Sequence, residues 1–165
     1  MTIDSLKRIA VFLMFFLGQV LVLNRIQLFG YATPLLYIYF ILLFPRNYPK
    51  WALLLWSFFL GLVIDAFSNT PGVACTSLTL IGVLQPYLLE LFTPRDADED
   101  MQPSLKNLGW QKFITYSLLI TLVFCLVFFT IEAFNMLNWL HWLKCVIGST
   151  IITLLLIFTF ETVRK

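Results

Sequence analysis

Long apolar stretches separated by short polar breaks are the feature that most constrains how this chain folds. They cover 6–23, 26–44, 51–67, 73–92, 113–134 and 145–160. A helix needs about 17–25 mainly apolar residues to cross the hydrocarbon core of a membrane. Only 12% of the residues are charged, whereas about a quarter are charged in a soluble domain. The sequence therefore predicts an all-α, polytopic membrane protein, a bundle of six transmembrane helices forming one domain over 1–165.

Two details refine this prediction. Gly30 and Pro34 interrupt the second stretch, which we therefore expect to be bent or broken near its start. The third and sixth stretches are short for a membrane span, so they need flanking residues or a locally thinned bilayer. The segment at about 93–112 is the only long polar connection. Its acidic run at 96–100 is interpreted as a solvated linker, with a contact to a cytoplasmic partner that has a basic face as the alternative.

The distribution of Lys and Arg predicts the orientation in the membrane. With six spans, both termini lie on the same side, and only Arg25 and Lys144 of the 11 basic residues lie on the opposite side. The others are Lys7, Arg8, Arg46, Lys50, Arg95, Lys106, Lys112, Arg164 and Lys165. Because cytoplasmic loops carry an excess of basic residues, we expect an N-in/C-in topology with a cytoplasmic 93–112 loop.

Ser57, Gly61 and Asp65 form a stripe on the third predicted helix, since residues four apart share a helix face. Small residues allow another helix to approach closely, and a carboxylate within a membrane needs a partner. One interpretation is that Asp65 caps the backbone N–H groups near 72–74. The other is a partner or ligand contact, with Arg25 and Lys144 as possible ion partners of Asp65. Both interpretations stay open.

The sequence contains no pattern typical of an enzyme or a metal site. It lacks a recognisable catalytic constellation or phosphate-binding loop, and one His with three scattered Cys gives no metal-ligand spacing. No basic stripe of the kind that binds nucleic acid is present. We therefore predict a non-enzymatic protein with no cofactor, no metal and no nucleic-acid partner, in contact with the lipid bilayer.

A family resemblance is carried by the Gly-Leu-Val-Ile-Asp motif at 61–65, the turn ending in Pro71-Gly72 and the six-span layout. Pro34 at the second stretch adds to it. In these features the chain resembles the rod shape-determining protein MreD family of bacteria. Ser57 stands where Gly is common in that family, and Cys75 stands where Ala is common.

The resemblance implies a multi-pass protein of the bacterial inner membrane that acts as a scaffold of the cell-wall elongation complex. Such a scaffold regulates peptidoglycan synthesis and cell shape by binding an MreC-like single-span protein and other elongation-complex proteins. The partner-binding hypothesis names Ser57, Gly61, Asp65, Pro71 and Gly72. The implied fold is similar to the S subunit of energy-coupling-factor transporters. The alternative function is therefore that of the substrate-binding subunit of such a vitamin transporter. The chain could also form a homodimer, and the sequence does not decide its oligomeric state.

Overall fold

A computed structural model describes residues 3–21, 33–93, 101–133 and 139–163. These residues form helices and connections without any strand. The helices are α1 (Ile3–Leu21), α2 (Ile38–Leu42), α3 (Lys50–Ser68), α4 (Val73–Phe92), α5 (Leu105–Leu108), α6 (Trp110–Glu132) and α7 (Trp139–Val163). The prediction of an all-α protein is confirmed for the described part of the chain.

Four helices are long and apolar enough to cross a membrane, namely α3, α4, α6 and α7. They correspond to four of the six predicted spans. The apolar part of α1, Arg8–Leu21, is shorter than these four. The sixth predicted span was too short, because α7 is a helix of 25 residues that begins before 145 and ends after 160. The fold is that of a multi-pass helical membrane protein.

The second predicted span is not a continuous helix in its described part, 33–44. Only α2, of five residues, is α-helical there, and five residues rise by about 7.5 Å. Pro34 lacks a backbone N–H and disfavours the helical conformation of the residue before it, which agrees with the non-helical backbone at 33–35. The break that the sequence predicted is present, and it extends further along the chain than we expected.

The Gln19 side chain of α1 satisfies part of this non-helical backbone. Its amide nitrogen donates to the Pro34 carbonyl at 2.9 Å, and its amide oxygen accepts from the Leu36 N–H at 3.1 Å. Gln19 is almost fully buried. Irregular backbone is tolerated at membrane depth only where protein groups satisfy it, and Gln19 supplies both a donor and an acceptor.

Two hydroxyl groups of α7 satisfy the backbone on the other side of the same segment. The Thr33 N–H donates to Ser149 Oγ at 3.1 Å, and the Leu35 N–H donates to Thr153 Oγ1 at 3.1 Å. Ser149 and Thr153 are both fully buried. The segment is therefore held between α1 and α7 by side chains rather than by its own helical hydrogen bonds.

The long helices run in alternating directions, which gives the bundle two chemically distinct ends. At one end α3 is followed by α4 through residues 69–72, and α1 and α6 also end there. We call this the Asp65 end. At the other end, where α3 begins and α4 ends, Arg46 pairs with Glu90 at 3.7 Å and Lys50 Nζ lies 4.6 Å from the centre of the Tyr87 ring. We call this the basic end.

Candidate functional site at the turn between α3 and α4

The Asp65 carboxylate binds the first turn of α4. One oxygen accepts hydrogen bonds from Thr70 Oγ1 at 3.0 Å and from the Ala74 N–H at 2.9 Å, and the other accepts from the Cys75 N–H at 2.8 Å. The first N–H groups of a helix have no partner within the helix, and Gly72 at the N-cap has no side chain to bind them. Asp65 caps α4 from the neighbouring helix, as one of the two interpretations predicted.

The turn itself requires two residues with left-handed backbone conformation. Asn69 has φ of 59° and Gly72 has φ of 86°. Glycine adopts positive φ without steric cost, and Asn tolerates it better than most residues. Pro71 and Gly72 are both exposed at the protein surface. The turn reverses the chain in four residues and keeps the Asp65 carboxylate within reach of α4.

The stripe of small residues forms the contact between α3 and α4. A Cβ placed on Gly61 would lie 2.4 Å from Cys75 Cα, and one placed on Gly82 would lie 2.6 Å from Ser57 Oγ. Ser57 and Gly61 are buried, and Asp65 is only 6% exposed. The expectation of close helix approach is confirmed. The expectation that this stripe is an open groove for another protein's helix is wrong, because α4 of the same chain fills it.

The predicted ion partners of Asp65 do not appear among its contacts in the described structure. The hydrogen-bond donors to Asp65 in the described structure are the Thr70 hydroxyl and the two α4 amides. Lys144, near the start of α7, is not one of them. Arg25 and the acidic run at 96–100 lie outside the described residues. For Arg25, ion pairing with Asp65 stays a prediction.

Glu161, near the end of α7, is a buried carboxylate that sequence reasoning missed. It is 4% exposed, accepts a hydrogen bond from the Tyr39 hydroxyl and accepts another from the Leu105 N–H at 3.2 Å. Glu161 therefore ties α7 to α2 and to α5 at the basic end. Its position among charged residues near the end of the sequence resembles a solvated tail, so only the tertiary contacts reveal it.

The Tyr37 hydroxyl is also a feature that the sequence did not indicate. The residue is 1% exposed, and no group of the described structure forms a hydrogen bond with the hydroxyl. A buried hydroxyl without a partner costs roughly 1–3 kcal/mol. Most buried polar groups in native proteins are paired, so an unpaired one calls for an explanation.

The outward face of the α3–α4 pair carries an open groove of about 670 Å³. Along α4 it is lined by Cys75, Thr79 and Val83, which lie four residues apart on one helix face. Phe58 of α3 forms the other wall. The Thr79 hydroxyl donates to the Cys75 carbonyl at 2.7 Å, so it presents little unsatisfied polarity to lipid. This groove, rather than the Ser57/Gly61/Asp65 stripe, is the accessible surface of the pair, and two of its lining residues, Cys75 and Thr79, are small.

The helices and this site define a multi-pass α-helical membrane protein with a carboxylate-capped helical hairpin. No protein-family model, no curated protein and no solved structure matches the chain. The resemblance to the MreD family therefore rests on the motif at 61–65, the Pro71-Gly72 turn and the predicted layout of spans.

Proposed function

We propose that the protein is a non-enzymatic scaffold of the bacterial cell-wall elongation complex, located in the inner membrane. In this proposal it binds an MreC-like single-span protein and maintains cell shape by regulating peptidoglycan synthesis. The support is the MreD-like motif, in which Gly61 and Asp65 have structural roles that other residue types cannot fill. Gly61 permits the close contact with α4, and Asp65 caps that helix.

The proposal includes six spans with both termini in the cytoplasm. Besides the four long helices, α1 and the interrupted stretch at 26–44 each cross the membrane once. In the described part of this stretch, the irregular backbone that precedes α2 is satisfied by side chains of α1 and α7. Arg46 and Lys50 lie together at the basic end, where the positive-inside rule favours the cytoplasm. The Asp65 end then faces the periplasm.

A periplasmic partner fits the shortness of the turn at the Asp65 end. Only four residues, 69–72, connect α3 to α4 there. This connection is too short to form a domain of its own, so a role in the periplasm requires a protein that supplies one. A single-span partner with a large periplasmic part meets this requirement, and its one helix needs a docking surface within the membrane.

The groove lined by Phe58, Cys75, Thr79 and Val83 is the observation that carries the proposal. Small residues four apart let a second helix pack closely in a membrane, where packing rather than hydrophobicity drives association. The exposed Pro71-Gly72 turn lies at the start of α4, one turn before Cys75, so a helix in the groove passes beside it. Pro71 and Gly72, two of the five residues in the partner-binding hypothesis, therefore remain part of the proposed contact with the partner helix.

Affinity purification in mild detergent from native membranes tests the proposal. We expect the wild-type chain to recover a single-span protein with a large periplasmic domain. Thr79→Trp fills the groove and is expected to reduce that recovery roughly tenfold, because overpacking costs about 1–3 kcal/mol. The matched control is Thr159→Trp on α7, where an exposed threonine outside the groove likewise donates to the carbonyl four residues earlier.

Two results would overturn this proposal. Equal recovery of the partner with Thr79→Trp and Thr159→Trp, at equal expression, would remove the groove as the docking surface. Recovery of paired ATPases with a coupling membrane protein, instead of a single-span protein, would replace the scaffold with the transporter subunit.

A further inference from the structure

A group of charged and aromatic side chains joins the start of α3 to the end of α4 at the basic end. Lys50 Nζ lies 4.6 Å from the centre of the Tyr87 ring, and Arg46 pairs with Glu90 at 3.7 Å. Tyr87 and Glu90 are three residues apart, so they share a face of α4. We call these four residues, together with Trp51, the Lys50 cluster. Because α3 and α4 are both long and apolar enough to cross a membrane, the cluster lies where the bilayer meets water.

The two aromatic side chains of the Lys50 cluster are exposed rather than packed inside the bundle. Trp51 is 69% exposed and Tyr87 is 55% exposed. Trp and Tyr are enriched at membrane interfaces, because each has an apolar body and a polar tip. Leu55, one helical turn after Trp51, is also exposed. This surface therefore passes from apolar to charged side chains in the same direction in which a lipid passes from its acyl chains to its headgroup.

The Lys50 ammonium group carries a charge that no carboxylate of the described structure neutralises. Lys50 is exposed, and it forms no ion pair within the described part of the chain. The Tyr87 ring covers one side of the ammonium group and holds it by a cation–π contact. An ammonium group has three N–H donors, so Lys50 retains donors for an acceptor that comes from outside the protein.

The charge of the Lys50 cluster favours an anionic headgroup. Its two cations and one carboxylate give a net charge of +1. The Arg46 guanidinium contacts Glu90 through one nitrogen, and its other N–H donors match the oxygens of a phosphate. Basic residues next to a membrane span attract anionic lipids. A free phosphate ion has no part that fits the exposed Trp51 and Leu55, whereas a phospholipid places its acyl chains against them.

We propose that the Lys50 cluster binds the headgroup of an anionic phospholipid. Lys50 and Arg46 pair with the phosphate, Trp51 lies at the level of the glycerol backbone, and the acyl chains lie against Leu55. This inference does not depend on the scaffold proposal, because Thr79, which lines the groove used there, lies about two helical turns from Tyr87.

Native mass spectrometry of the full-length chain in detergent tests the inference. The probes are phosphatidylglycerol, which is anionic, and phosphatidylcholine with the same acyl chains, which is zwitterionic. The measured quantity is the ratio of their dissociation constants for the first bound lipid. Each net positive charge beside an anionic lipid contributes roughly a factor of five in affinity. We therefore expect the wild type to bind phosphatidylglycerol about fivefold more tightly than phosphatidylcholine.

Variants that change the charge of the cluster assign this preference to residues. Lys50→Gln lowers the net charge to zero and is expected to remove the preference, whereas Lys50→Arg is expected to keep it. Glu90→Gln raises the net charge by one and is expected to increase the preference to about 25-fold. The matched controls make the same charge changes outside the cluster, Lys112→Gln at the start of α6 and Glu132→Gln at the end of α6. Both are expected to leave the preference unchanged.

Several results would overturn the inference. Equal affinities of the wild type for the two lipids would show that the cluster does not select an anionic headgroup. An equal loss of preference in Lys50→Gln and Lys112→Gln would show a diffuse attraction to the whole basic end. Displacement of phosphatidylglycerol by millimolar inorganic phosphate, but not by chloride at the same ionic strength, would assign the cluster to a soluble phosphate. Thr79→Trp is expected to keep the lipid preference, so failure of this inference and failure of the scaffold proposal are distinguishable.

Discussion

Adding a single methyl group at Gly61 tests how tightly α3 and α4 are packed. The new Cβ would lie 2.4 Å from Cys75 Cα and 2.7 Å from Cys75 N, whereas ordinary contacts begin at 3.4 Å. Backbone atoms cannot rotate away, so α4 must move by about 1 Å. Overpacking of this kind costs about 1–3 kcal/mol. The movement also stretches the hydrogen bonds from Asp65 to the α4 amides, and each bond to a charged group contributes about 1.5–3 kcal/mol.

The net effect of Gly61→Ala is smaller than the sum of these terms, because alanine favours a helix over glycine by about 1 kcal/mol. We expect the free energy of unfolding to fall by about 2–4 kcal/mol. Gly18→Ala is the matched control, since it also lies in an apolar helix and its Cβ would meet nothing within 4 Å. That variant is expected to be stabilised by up to about 1 kcal/mol.

Unfolding by SDS in mixed micelles, followed by the fluorescence of the five Trp residues, measures both variants under the same conditions. The difference between Gly61→Ala and Gly18→Ala is the informative quantity, because it removes the intrinsic preference of alanine for helices. If the two variants unfold at the same SDS fraction, the backbone contact between α3 and α4 is absent and the structural role of Gly61 is refuted.

Two further predictions concern contacts made by side chains. Gly82→Ala is expected to destabilise the protein by about 1–2 kcal/mol, because its Cβ would lie 2.6 Å from Ser57 Oγ. Combining it with Ser57→Gly is expected to recover most of that loss, and strictly additive unfolding energies in a double-mutant cycle would contradict the contact. Glu161→Ala is expected to cost about 2–4 kcal/mol, since it removes the buried carboxylate that accepts hydrogen bonds from the Tyr39 hydroxyl and the Leu105 N–H. Hydrogen exchange at the Leu105 amide should accelerate with it, and unchanged exchange would show that Glu161 does not hold α5.

The features that local sequence determines were predicted well. Long continuous apolar segments predict α3, α4, α6 and α7. Backbone N–H and C=O groups in lipid must form hydrogen bonds with each other, and within a single segment only a helix allows this. Capping of α4 by Asp65 was also predictable, since the carboxylate and the N–H groups are separated only by the short turn around Gly72. Short sequence separation leaves few alternative geometries.

The features that depend on distant contacts were not predictable. The spacing of Ser57, Gly61 and Asp65 shows that a helix packs closely on this face, but not which helix it is, and α4 rather than another protein occupies it. The environment of Tyr37 depends on α1, α3 and α6 together. A residue such as Glu161 acquires its role only when three separate elements converge on it.

The backbone hydrogen bonds that α7 provides to the segment before α2 impose an order on biosynthesis. The Thr33 and Leu35 amides bind hydroxyl groups that lie 116 and 118 residues further along the chain. Chains are synthesised from the N-terminus, so these amides emerge long before Ser149 and Thr153 exist. Until then the segment needs water or the insertion machinery to satisfy it, because lipid cannot. Synthesis and packing of α7 are therefore the step that supplies the hydrogen-bond acceptors of the Thr33 and Leu35 amides.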